Sequence, residues 1–153
     1  MMEDVKLNLD RLAYDWCVYR HNTFSVVIYS WKSKNYEYEL YSRGGEYKFH
    51  WNVYANIFED HPYYDNVELI ETLPFHGGIT YDQHITHEGK LNIGFPLRAP
   101  QTTLKVGSDY GHYCDDWYAE QDPKDGIPRC IQQDALDLVY RLLGAVVKPN
   151  EHE

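Results

Sequence analysis

Between Tyr47 and Val53 the chain alternates without a slip: Tyr47, Phe49, Trp51 and Val53 are apolar, and Lys48, His50 and Asn52 between them are polar. A period of two puts the two sets on opposite faces of a strand, whereas a helix would scatter the apolar set around its circumference. A half-buried strand needs partners, and the preceding sequence supplies them. Leu12–Arg20 and Phe24–Trp31 are runs rich in Val, Ile and Tyr, separated by the turn His21-Asn22-Thr23. Tyr36-Glu-Tyr-Glu-Leu-Tyr41 alternates aromatic with acid, and Ser42-Arg-Gly-Gly-Glu46 turns the chain. Loops this short favour pairing between neighbours, so the four runs predict an antiparallel meander.

Downstream, Leu91–Phe95 and Thr103–Val106 are read as further strands, and Val67–Leu73 as a strand in preference to a short helix. Pro128 suits the first turn of a helix. Ile131, Ala135, Val139, Leu142 and Val146 then recur at helical spacing, with Leu136, Leu138 and Leu143 widening the stripe. Lys148 complements the negative helix end and Pro149 stops it. The expected fold is α+β: a twisted, mainly antiparallel sheet of about six strands covered on one face by a helix over 129–147. No repeat or linker interrupts residues 1–153, so a single domain is expected.

The formal charge of −10 argues against direct binding to nucleic acid or to an anionic membrane, and favours a basic protein partner. Cys17, Cys114 and Cys130 share no CxxC spacing, and no long apolar run or signal segment is apparent. The expected compartment is therefore a reducing cytoplasm, with the cysteines as small buried hydrophobes. From Phe49 to Gly89 there are seven acids and five histidines but no lysine or arginine. That segregation predicts an acidic patch.

Two glycine-containing segments concentrate chemistry. Phe75-His-Gly-Gly-Ile-Thr-Tyr81 sets an imidazole before a tight turn. Gly107-Ser-Asp-Tyr-Gly-His-Tyr-Cys-Asp115, read as a loop, adds another imidazole and two carboxylates. His76, Asp109, His112 and Asp115 together are a candidate shell for a divalent metal, with a bound water and a spare carboxylate to serve a hydrolase. The competing use is structural: imidazoles bonding backbone carbonyls and aspartates bracing turns. That use is the commoner one, so no cofactor is expected and a divalent metal is the alternative. Asp82, His84, His87 and Glu88 form a second polar cluster, expected in an exposed hairpin loop ahead of Gly89. G-x-S-x-G, P-loop, dinucleotide and H-E-x-x-H motifs are missing. Cys114 beside His112 is a poor thiolate candidate, because Asp115 and Asp116 oppose its ionisation.

The series Trp51-x-x-Tyr54, Glu59-Asp-His-Pro62, Tyr64-Asp-Asn-Val67 and His76-Gly-Gly-Ile-Thr-Tyr81, followed by Gly107-x-Asp109-x-x-His112-x-x-Asp115, resembles a family of small phage and prophage accessory proteins. The resemblance implies a protein made in the cytoplasm of a host cell, and brings no established chemistry. Acid-rich segments, with Asp115, Asp116, Glu120 and Asp122 among their acids, are interleaved with Tyr36, Tyr38, Tyr63, Tyr64, Tyr110, Tyr113, Trp117 and Tyr118, and suit the basic groove of a nucleic-acid-binding effector. The leading expectation is a non-enzymatic, anti-CRISPR-like inhibitor that works by binding. The alternative is a metal-dependent hydrolase, or a protein that sequesters a small ligand such as a nucleotide in a His/Asp pocket.

Overall fold

The computed structural model describes residues 13–36, 45–87, 101–111 and 115–147. Five antiparallel strands form one sheet: β1 (Ala13–Arg20), β2 (Phe24–Lys34), β3 (Tyr47–Phe58), β4 (Tyr81–His87) and β5 (Gln101–Asp109). Their order is β1-β2-β3-β5-β4, so the first three form a meander in which β2 pairs directly with β3 and not, as expected, through a Tyr36–Tyr41 strand, and β5 inserts between β3 and β4. Among the described residues the count is five, where about six were expected. The Tyr36–Tyr41 and Leu91–Phe95 expectations fall largely or wholly outside the described residues.

The alternation seen in the sequence decides the two faces. Trp51, Val53, Ala55 and Ile57 of β3 join Phe24, Val26 and Ile28 of β2 and Leu104 and Val106 of β5 in one buried layer. A helix, α2 (Arg129–Gly144), lies over that layer with Ile131, Ala135, Leu138, Val139 and Leu142 turned inward. Pro128 stands just before the helix in extended conformation, and its carbonyl accepts the amide of Gln132 at 3.1 Å. The helix is the predicted one with a shorter end. Lys148 and Pro149 lie outside the described residues.

Three local readings are corrected. Val67–Leu73 is no strand. Val67–Ile70 is a four-residue helix, α1, because the Asn66 side chain accepts the Leu69 amide at 3.2 Å and nucleates the turn. The segment around Asp82 and His84 is no loop: it is β4, whose register on β5 (Tyr81 on Gly107, Ile85 on Thr103) imposes an alternation the polar side chains conceal. Gly107–Asp109 likewise belongs to β5. Gly107 is required there, since a Cβ would stand 2.3 Å from Tyr54 Cδ1 and 2.8 Å from the Val53 carbonyl oxygen.

His61 explains the Glu59-Asp-His-Pro62 turn. Its Nε2–H donates to the Leu142 carbonyl at 2.9 Å, near the end of α2, and its Nδ1 accepts the Tyr63 amide at 2.9 Å. A carbonyl only accepts and an amide only donates, so this pair of partners selects the neutral Nε2–H tautomer. Burial holds the ring's pKa below its ordinary 6.5; the Leu142 bond pulls the other way, and His21 adds to the lowering.

Candidate functional site

The His76 turn starts on the buried ring of Phe75 and reverses through Gly77 and Gly78, both at positive φ (68° and 90°). Gly78 N–H closes the turn onto the Phe75 carbonyl at 3.1 Å, and Thr80 N–H then bonds the Gly107 carbonyl at 2.9 Å, which anchors the turn to β5. His76 is thereby aimed at a strap, residues 115–122, that crosses the end of the sheet. Its Nε2 lies 2.9 Å from both carboxylate oxygens of Asp115. Asp115 is only 7% exposed and His76 28% exposed, so the contact is shielded from most of the solvent.

Aromatic rings surround this pair. His76 stacks on Tyr110 at 4.4 Å and meets Tyr118 edge-on at 5.8 Å. The Tyr110 hydroxyl donates to Asp134 Oδ2 at 2.5 Å, and the Tyr118 hydroxyl donates to Cys130 Sγ at 3.3 Å. Both phenols are pushed well above their ordinary range. Burial is the first cause in each, followed by Asp134 for Tyr110 and Cys130 for Tyr118. Cys130 and Asp134 are one turn apart on α2, so the network joins turn, sheet end, strap and helix. A second clasp is the Trp51 indole N–H, which donates to the Gln121 carbonyl at 3.2 Å.

Three of the four candidate ligands lie among the described residues. His76 and Asp115 are together. Asp109 ends β5 and alternates with Tyr110, so its side chain leaves the face opposite to that of Tyr110, and Asp109 and Asp115 both line one cleft. There it raises the pKa of Tyr54, behind the larger effects of burial, Tyr81 and Tyr29, and its Oδ1 accepts the Gly111 amide at 3.3 Å. His112 lies outside the described residues. Among the described residues no three His, Cys, Asp or Glu side chains converge as a metal shell.

The predicted binding surface divides in the same way. Tyr63, Tyr110 and Asp115 are buried in the core or the clasp and are removed from it, because each satisfies an internal contact. Tyr64 and Tyr118 are half-buried, and Tyr113 lies outside the described residues. Asp116, Trp117 and Glu120 are exposed, with Trp117 at 51%. Asp122 caps the next 3-10 turn through the Lys124 amide at 3.0 Å and lies 3.8 Å from Lys124 Nζ.

Beside the strap is a cleft of about 280 Å3 whose walls include Trp31, His50, Trp51, Asp109 and Asp116. Trp31 and His50 stack at 3.9 Å, and His50 Nε2 is 2.8 Å from Ser33 Oγ. Burial, then Lys48, lowers the His50 pKa. The cleft escapes a reading of the sequence because Trp31 and His50 face each other only through the β2–β3 register. Asp134 and Cys130 were missed as well; their only signal is the four-residue spacing beside the apolar stripe. No family model, no curated protein and no solved structure matches this chain.

Proposed function

We propose that this chain is a phage-type accessory protein that inhibits a host defence or nucleic-acid-processing effector by binding its basic surface. The observation that carries the reading is the strap: an exposed indole, Trp117, lies between Asp116 and Glu120 on a segment clasped by His76–Asp115 and Trp51–Gln121. A large aromatic side chain held in place loses little entropy on burial, and the flanking acids attract a basic groove over long range. His76 and Asp115 act here as the strap's fastening. A second reading, sequestration of a small ligand, has the Trp31–His50 cleft in its favour.

The test is capture from host lysate at two salt concentrations, followed by binding kinetics on the captured effector. Replacing Asp116, Glu120 and Asp122 by amides should slow association and flatten its salt dependence, while Trp117→Ala should speed dissociation. Full inhibition by the neutralised variant, together with loss on Trp31→Ala, would transfer the function to the cleft.

A further inference from the structure

A groove of about 490 Å3 runs beneath the outer edge of β4. Its floor is aliphatic: Val67 and Ile70 of α1, Ile79, and Leu104 of β5. Asp65, Glu71, Asp82 and His84 form the rim, and among the described residues no lysine or arginine lines it. The rim is set in place by its own contacts. His84 Nε2 lies 2.6 Å from Asp65 Oδ1, and Tyr64 meets the His84 ring edge-on at 5.9 Å. Asp65 itself sits at φ 53°, the left-handed region that few side chains other than Asn and Asp adopt.

β4 is an edge strand, and among the described residues only β5 pairs with it. The ladder decides which backbone groups it presents. Tyr110 N–H donates to the Trp51 carbonyl, so the even-numbered residues of β5 turn their amides toward β3 and the odd-numbered ones toward β4. With Gln83 on Lys105 and Ile85 on Thr103, Gln83 and Ile85 bond inward. Asp82, His84 and Thr86 then present their N–H and C=O groups outward, and Asp82 and His84 put their side chains on the groove.

We propose that this edge takes up an extended segment of a basic partner as an added strand. One aliphatic side chain would fill the floor, and lysine or arginine side chains two residues to either side, on the same face, would reach Asp65, Glu71 and Asp82. The partner's basic character rests on the binding reading above; the surface is separate from the strap. A second copy of this chain is the wrong occupant. It would bring one acidic rim against another, between chains that each carry −10.

The probe is the blocked peptide Thr-Lys-Thr-Val-Thr-Arg-Thr, whose Lys, Val and Arg share one face of an extended strand, titrated into the full chain and followed by backbone amide NMR. Shifts should centre on Asp82, His84 and Thr86. Methylating alternate peptide amides should weaken binding by about tenfold or more, as should the pair Asp65→Asn and Asp82→Asn, whose spectra report whether the fold is kept. Equal binding of the methylated peptide would mean charge attraction alone and would overturn strand addition. So would shifts confined to 115–122, no shifts at millimolar peptide, or a peptide-independent dimer paired through β4. The peptide test does not involve the strap. A strap variant that loses the effector but binds the peptide normally would therefore leave this inference standing.

Discussion

His61→Gln tests how the loop after β3 is tied to the far end of α2. The native ring is 3% exposed, bonds both the Leu142 carbonyl and the Tyr63 amide, and meets Phe24 and Tyr63 edge-on at 5.5 and 5.4 Å. Losing the ring and both bonds, as in His61→Ala, costs about 1 kcal/mol per bond plus the penalty of leaving two buried backbone groups unpaired, for a total of roughly 3–5 kcal/mol. Glutamine keeps a donor for Leu142 and should recover about half of that. The more telling difference is with pH. The native pKa of His61 is below the unfolded value of 6.5, so the unfolded chain takes up a proton that the native ring refuses. This contribution to stability is complete above pH 6.5 and is lost as the pH falls below it. Glutamine does not titrate. Urea unfolding at pH 8 and pH 5.5, followed by tryptophan fluorescence, should show the wild type well ahead of His61→Gln at pH 8, with the gap narrowing in acid. An equal gap at the two pH values would show that His61 keeps one protonation state on unfolding, and the tautomer argument would fail.

Leu142→Ala removes a fully buried side chain from the helix–sheet contact and should cost about 3 kcal/mol in the same unfolding assay; a loss near zero would mean that the helix stripe packs elsewhere. Gly107→Ala should destabilise by about 1–3 kcal/mol through overpacking. Adding Tyr54→Ala should restore only part of that, because the Val53 carbonyl oxygen at 2.8 Å is backbone and stays. Full rescue by Tyr54→Ala would refute the backbone clash.

The meander and the covering helix were legible because each imposes a clean period, two at Tyr47–Val53 and helical at Ile131–Leu142. α1 was not, since Val67-Glu-Leu-Ile70 has strand composition and only the Asn66 cap turns it into a helix. β4 was hidden by its place at the sheet edge, where Asp82, Gln83, His84 and Thr86 need no apolar partner. At the candidate site, residue type was enough to single out His76 and Asp115. Which acid His76 meets was not readable. Treating 107–115 as a loop concealed that Asp109 is a strand residue, and strand parity sends it to the other face from Tyr110. Contacts that depend on register across the sheet, such as Trp31 with His50, leave no trace in a single sequence.

β5 comes last among the described strands yet occupies an interior place, and this shapes how the chain assembles. The β1–β3 meander and the β4–β5 hairpin each join neighbours in sequence, but they unite only along a ladder running from Phe58–Thr103 to Asn52–Asp109. Closing so long a loop is entropically slow, so the two pieces are expected to form first and dock later. Until they do, β3 is an unpaired edge displaying Trp51, Val53, Ala55 and Ile57. That interval is when a newly made chain is most exposed to pairing with another copy of itself. Late synthesis of β5 and α2 thus leaves the β3 edge uncovered while the chain is being made.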